Sequence, residues 1–275
     1  MKSIDIIIPL HLYNQTTIPL LTRCLMSIKS MASNSKKENI KINLNIVGPN
    51  LQNKSEEIFN LIEWGEEFNS FNIIDNEGEI DFCSQVNFAV KEACKSEYFM
   101  VVEFDDIVTE KWLNMSIPYI LKYKKCPIFL PLVEVYDINN PQKPLHYINE
   151  IGWSSTFTEN ELGFLNNEAL LDYCNFNITG SIIKRIDFIK AGGFKPSIKL
   201  SFGYELLLRL SHLYKNIYII PKVGYFHFIN REGSLTSEYH KTITQKEGSW
   251  WIKLATEEYT YKNDRNKIYT EETEK

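Results

Sequence analysis

The chain has 275 residues, 44 % of them hydrophobic and 24 % charged, which is enough for a globular protein with a core of its own. Its formal net charge of −5 excludes the basic surface that unspecific binding to nucleic acid requires. The five cysteines are dispersed and no apolar run reaches the ~20 residues of a membrane span, so we expect a cytoplasmic protein without disulfides, signal peptide or transmembrane segment.

Short apolar runs alternate with helical patterns along the first half of the chain. Strands are predicted at residues 4–9, 42–47, 71–74 and 98–102, and apolar residues at three- and four-residue spacing predict helices between them. Strands that alternate with helices of this length form right-handed β-α-β units. We therefore expect an α/β fold with a mainly parallel central sheet flanked by helices.

The second half of the chain has a mixed pattern. A helix near residues 110–124 and a strand at 128–135 continue the alternation, but residues 145–164 favour short strands, with a hairpin over a cleft as one arrangement. The later predicted elements are strands at 181–183, 217–220 and 223–228 and a helix near 204–213. The sequence therefore predicts an α+β second half without internal repeats.

Three carboxylates, Glu103, Asp105 and Asp106, directly follow the strand at 98–102. Ligands of open parallel sheets bind beyond the carboxyl ends of the strands. Because side chains alternate along a strand, Glu103 and Asp105 are expected to share one side, with Phe104 pointing away into packing. Such a pair suits a hard divalent cation, Mn²⁺ or Mg²⁺, which keeps positions for substrate phosphates. The alternative is a solvated acidic turn with Asp106 capping the next helix.

Several short motifs keep a common order between about residues 4 and 236. They are Ile6-Ile7-Ile8-Pro9, Tyr13-Asn14, Asn76-Glu77-Gly78, Val86-Asn87, Ser96-Glu97-Tyr98, Glu103-Phe104-Asp105-Asp106, Gly180-Ser181, Ala191-Gly192-Gly193-Phe194 and Gly233-Ser234-Leu235-Thr236. The ordered set resembles the family-two glycosyltransferases of GT-A fold. The resemblance implies a GT-A-like fold with a nucleotide-sugar-binding half at 1–127, an acceptor-binding half at 128–248 and a C-terminal tail at 249–275.

The resemblance also implies an activity and a set of site residues. The activity is a metal-dependent, inverting transfer of a sugar from a nucleotide-diphosphate donor to a hydroxyl of a glycan, a lipid-linked sugar or another acceptor. Glu103, Asp105 and His227 are the expected ligands of Mn²⁺ or Mg²⁺, and His227 is also expected to close over the phosphates. The residues expected to contact the nucleotide are Pro9, Tyr13, Asn14, Asn87, Phe104 and Arg231.

The sequence departs from the family pattern in two places. The second strand ends in Val47-Gly48-Pro49-Asn50, without the carboxylate that holds the base or ribose in the family. Phe202-Gly203 replaces the family's catalytic Glu-Asp pair, so Glu205, the next carboxylate, is the predicted base. An inactive binding or structural module of the same fold is therefore the alternative function. A nucleotidyltransferase lacks a supporting Gly-rich phosphate loop.

Each predicted binding residue also has a packing alternative. Tyr13 and His227 are aromatic residues that also occur in cores, and the amide of Asn87 can make a hydrogen bond within the fold. Glu205 lies among leucines at helical spacing, which also fits a surface position on an amphipathic helix.

Overall fold

A single sheet organises the fold. The computed structural model describes residues 1–35, 38–76, 78, 80–153, 162–198 and 200–234, with 237, 238, 241, 244, 246–250, 252, 253 and 256. The strands in these residues are β1 Ser3–Pro9, β2 Lys41–Gly48, β3 Phe68–Asp75, β4 Tyr98–Val101, β5 Ile107–Val108, β6 Ile128–Asp137, β7 His146–Ile148, β8 Phe164–Leu165, β9 Ile182–Lys184 and β10 Ile217–Ile229. The α-helices are α1 Ile18–Asn34, α2 Ser55–Phe59, α3 Phe82–Glu92, α4 Trp112–Lys122, α5 Asn167–Asp172, α6 Arg185–Lys190 and α7 Phe202–Tyr214.

The strand order is β3-β2-β1-β4-β9-β6-β10-β5, with β7 paired to β6 and β8 paired to β10. The first four strands in this order pair in parallel, as do β6 and β10. The strand β9 is antiparallel to both β4 and β6, and so joins the two parallel regions. The predicted mainly parallel sheet with a mixed second half is confirmed.

Helices cover both faces of the sheet, which explains the near-continuous apolar sequence of β1. Ile4, Ile6 and Ile8 pack with residues of α1, α2 and α4, whereas Ile7 packs with residues of α3, α5, α6 and α7. The two faces thus form separate apolar clusters. The carboxylates of the candidate site lie beyond the carboxyl end of β4, outside both apolar clusters.

Two features of the last strand were not expected. The runs predicted as separate strands at 217–220 and 223–228 form the one strand β10, whose register with β6 shifts between Ile219 and Tyr225. The two-residue strand β5 is antiparallel to β10, with Ile107 opposite Phe226. This pairing places Asp106, the residue before β5, beside His227, the residue after Phe226.

The predicted hairpin at 145–164 is corrected, because β7 and β8 pair with different strands rather than with each other. Residues 154–161 of that segment and most of the predicted tail lie outside the described residues. In the described part of the chain, no helix has the length and apolar character needed to cross a membrane.

Candidate functional site

The three carboxylates after β4 lie where the chain turns sharply towards β5. The Asp106 amide donates to the Glu103 carbonyl at 3.1 Å, which closes a tight turn around Asp105. The Glu103 amide donates to the hydroxyl of Tyr225 on β10 at 2.9 Å. The alternation of side chains that holds along an extended strand therefore ends at Glu103.

Asp106 is fully buried and is bound by two residues of β10. Nδ1 of His227 lies 2.8 Å from Oδ2 of Asp106, and the Phe228 amide donates to Oδ1 at 2.8 Å. Candidate ligand atoms of Glu103, Asp106 and His227 all lie within 4.8 Å of one another. This spacing allows one cation to contact all three side chains.

The electrostatics of this cluster favour a cation. Burial, followed by the negative charge of Asp106, raises the pKa of Glu103 to about 8. Burial alone would lower the pKa of His227, but the carboxylates of Asp106 and Glu103 raise it to about 10. A divalent cation would replace these protons, since metal ligands must be deprotonated. Two carboxylates and an imidazole form a donor set that several divalent cations accept.

Asp105 makes a different contact. Its Oδ2 accepts a hydrogen bond from Nε of Arg231 at 2.6 Å, and the Arg231 guanidinium carbon lies 5.0 Å from the centre of the Phe104 ring. Asp105 thus lies outside the group of Glu103, Asp106 and His227, whose ligand atoms approach one another. The role of Asp105 as a metal ligand stays a prediction, and Asp106 is the carboxylate that the turn after β4 brings close to Glu103.

Two cavities meet at the acidic edge. The smaller, of about 60 Å³, is lined by Pro9, His11, Ile80, Phe82, Gln85, Glu103, Phe104, Asp105, Arg231 and Ser234. The larger, of about 490 Å³, is lined by Asp81, Phe82, Cys83, Glu103, Ile148, Cys174, Asn175, Phe176, Asn177, Ile178, Thr179, Pro196, Ile198, Leu200, Ser201, Phe202, Gly203, Tyr204, His227 and Ile252. Phe82 and Glu103 line both cavities, so the cluster of Glu103, Asp106 and His227 lies at their junction.

Three of the residues predicted to contact the nucleotide, Pro9, Phe104 and Arg231, line the smaller cavity. Sequence reasoning missed five residues there, among them His11 and Gln85. The His11 ring lies 5.4 Å from the Phe104 ring, and burial, then Arg231, lowers the pKa of His11 to about 4, so this imidazole is neutral. The position of His11 just beyond β1 is a signal that could have identified it.

Tyr13 and Asn14 do not line either cavity. The Asn14 Oδ1 accepts hydrogen bonds from the amides of Thr16 and Thr17 at 2.9 and 3.0 Å, in the turn that precedes α1. Tyr13 packs against the apolar cluster on the face covered by α1. The structure thus shows contacts within the fold for both residues, and their nucleotide contacts stay predictions.

Asn87 also has a structural role. Its Nδ2 donates to the Phe194 carbonyl at 2.8 Å, and its Oδ1 accepts from the Phe194 amide at 2.8 Å. A side-chain carbon added to Gly193 would lie 2.5 Å from the same Oδ1. The amide therefore links α3 to the glycine turn after α6, and its nucleotide contact stays a prediction.

Glu205 is fully buried in α7 and lines neither cavity. Its Oε2 lies 2.6 Å from Nη2 of Arg209, and its Oε1 lies 2.9 Å from Nζ of Lys195. This environment does not suit the predicted catalytic base, which must reach an acceptor hydroxyl. The helical spacing identified the helix, but the side of the helix that carries Glu205 faces the protein interior.

Comparisons with known proteins establish the fold. No protein-family model and no curated protein matches the sequence. The structure of S. aureus TarS 1-349 with UDP-GlcNAc gives a TM-score of 0.62 at 13 % identity and covers 92 % of this chain and 65 % of that chain. The structure of TarS 1-349 with UDP gives a TM-score of 0.55 at 13 % identity and covers 90 % of this chain and 74 % of that chain. Another structure of TarS 1-349 gives a TM-score of 0.57 at 13 % identity and covers 82 % of this chain and 60 % of that chain.

The fold is therefore GT-A-like. The chain spans 60 % and 65 % of the first two TarS structures, less than two thirds of their length.

Proposed function

We propose that the protein transfers a sugar from a nucleotide-diphosphate donor to an acceptor hydroxyl, with a divalent cation and with inversion at the anomeric carbon. The observation that carries the proposal is the cluster of Glu103, Asp106 and His227 at the junction of two cavities, on the carboxyl edge of a GT-A-like sheet. TarS, a GT-A-like glycosyltransferase, forms complexes with UDP-GlcNAc and with UDP. The shared fold supports a donor of the same chemical class.

The smaller cavity, of about 60 Å³, is assigned to the diphosphate of the donor, since it is too small to enclose the whole nucleotide. Its wall combines Pro9, the neutral His11 and the Phe104 ring with the guanidinium of Arg231. Arg231 binds Asp105 through Nε, and a guanidinium can turn its remaining donors towards phosphate oxygens. Manganese held by the three-residue cluster would stabilise the negative charge of the departing diphosphate.

The larger cavity is assigned to the acceptor. Most of the described residues that line it are apolar or aromatic, with amides at Asn175 and Asn177. Among the described lining residues there is no lysine or arginine, whereas Asp81 and Glu103 are acidic. Because the described lining has no lysine or arginine to bind an anion and is mostly apolar, the cavity favours an acceptor whose hydroxyl is carried by an uncharged group, such as a neutral glycan.

The proposal is tested by incubating the protein with a panel of nucleotide-sugars and Mn²⁺ and measuring release of the nucleoside diphosphate. We expect slow hydrolysis of at least one donor, stopped by a chelator. Asp106→Ala should lower it at least about 100-fold, since it removes a ligand of the ion that stabilises the leaving group. Asp172→Asn, a change at an exposed carboxylate outside both cavities, serves as the control and should have no effect.

Two other results would contradict the proposal. Turnover that persists in Asp106→Ala at the wild-type rate would remove the cluster from the reaction. Manganese-dependent binding of UDP without turnover of any donor would instead favour the inactive module, for which the replacement of the family's catalytic pair by Phe202-Gly203 is the motivating observation.

A further inference from the structure

The acceptor cavity needs a group that removes a proton from the incoming hydroxyl, and the predicted one does not reach it. Phe202 and Gly203 line the cavity at the position where the family has its acidic pair, and Glu205 points into the interior. Among the described lining residues, the only carboxylates are Glu103 and Asp81. Glu103 belongs to the metal-binding cluster. Asp81 is therefore the carboxylate that remains for the proton transfer.

The position of Asp81 suits this task. It lies directly before α3, half-buried, and its Oδ1 accepts a hydrogen bond from the Ser84 amide at 2.9 Å. Ile80 lines the smaller cavity, Asp81 lines the larger one, and Phe82 lines both. The chain thus crosses the junction of the two cavities at this point. The carboxylate lies on the acceptor side, facing the same space as Glu103 and His227.

We propose that Asp81 is the general base of the transfer reaction; this inference rests on the proposed function. The acceptor oxygen forms a bond to the anomeric carbon while its proton passes to Oδ2 of Asp81. The bond from the anomeric carbon to the phosphate oxygen breaks, and the nucleoside diphosphate leaves with the electron pair. With water in place of the acceptor, the same step hydrolyses the donor.

A role in capping the helix is the competing explanation, and a matched pair of variants separates the two. Asparagine caps helices as well as aspartate does but cannot accept a proton at neutral pH. Asp81→Asn should therefore keep the wild-type melting temperature and the affinity for UDP with Mn²⁺. Its kcat for donor hydrolysis should fall about 100-fold or more at an unchanged KM. Asp81→Ala should lose the rate and also the cap, with a lower melting temperature.

The possible outcomes are distinguishable. Hydrolysis by Asp81→Asn within about threefold of the wild-type rate would overturn the inference and leave the proposed function intact. A raised KM with an unchanged kcat would also overturn it, since it would mark Asp81 as a contact to the donor sugar. Absence of hydrolysis by the wild-type protein, with every donor and Mn²⁺, would overturn the proposed function and the inference together.

Discussion

Two groups of buried acidic side chains differ in how their charge is balanced. At the edge of the sheet, Asp105 pairs with Arg231 at 2.6 Å and Asp106 with His227 at 2.8 Å, while Glu103 lies beside them. In α7, the buried carboxylate of Glu205 is bound by two cations, Arg209 of the same helix and Lys195. The first group lines both cavities, and the second lines neither.

The difference shows which group has a place for another cation. The edge group has three carboxylates and two basic side chains bound to them, and burial together with Asp106 raises the pKa values of Glu103 and Asp105. A raised pKa of an acid means that the folded protein disfavours its ionised form. The Glu205 group already carries excess positive charge. An excess of carboxylates over basic side chains at an accessible cavity therefore distinguishes the candidate site, whereas a carboxylate shared by two cations stabilises the fold.

The largest effect is expected when the two groups are changed in the same way. Glu205→Gln should lower the free energy of unfolding by about 3 kcal/mol, because Arg209 and Lys195 lose the charge that compensates them. Glu103→Gln should instead stabilise the metal-free protein by a few tenths of a kcal/mol, since it removes a carboxylate that the folded state disfavours. Urea unfolding of both variants in the presence of a chelator measures this difference.

The order of the two variants should be reversed for activity, where the change at Glu103 has the larger effect. Glu205→Gln should hydrolyse the donor at the wild-type rate per folded molecule, measured below its melting temperature, while Glu103→Gln should lose its stimulation by Mn²⁺. A Glu205→Gln protein that is fully stable but inactive would restore Glu205 as a catalytic residue and reverse the comparison.

The sequence predicts the positions of strands better than it predicts the orientation of side chains at their ends. The apolar runs place β1, β2 and β4 correctly because burial on both faces leaves a continuous signal along the chain. The choice between Asp105 and Asp106 depends on the turn after β4 and on β5, which has only two residues. A two-residue strand has no periodicity to detect, so its pairing with β10 is visible only in the fold.

Partners distant in sequence account for contacts of the predicted site residues that the sequence does not reveal. Asn87 and Glu205 both lie on correctly predicted helices, but their partners Phe194 and Lys195 lie in a turn between α6 and α7. Nothing in the local pattern tells whether an amide or a carboxylate on a helix faces a ligand or a neighbouring loop. Pro9, Phe104 and Arg231 reach a cavity because they lie just beyond strand ends or within the final residues of strands, where the topology restricts their position.

A smaller effect on stability is expected from Asn87→Ala. This change removes two hydrogen bonds to the backbone of Phe194, each worth about 1 kcal/mol, so the free energy of unfolding should fall by about 2 kcal/mol. The KM for the donor should stay at the wild-type value, because the amide contacts the glycine turn. Thermal unfolding and donor hydrolysis test the two parts separately. A several-fold rise in KM without loss of stability would show that Asn87 contacts the nucleotide after all.

The smallest effect is expected at the edge group itself, from Arg231→Lys. Lysine keeps the positive charge beside Asp105 but lacks the planar fork, so it cannot bind a carboxylate and a phosphate at once. The KM for the donor should rise about tenfold, a loss of about 1.4 kcal/mol in binding, while kcat changes little. Arg185→Lys, the same exchange at a residue outside both cavities, should leave the KM unchanged. Because the charge is preserved, a fall in kcat with constant KM would place Arg231 on the departing phosphate in the transition state rather than on the bound donor.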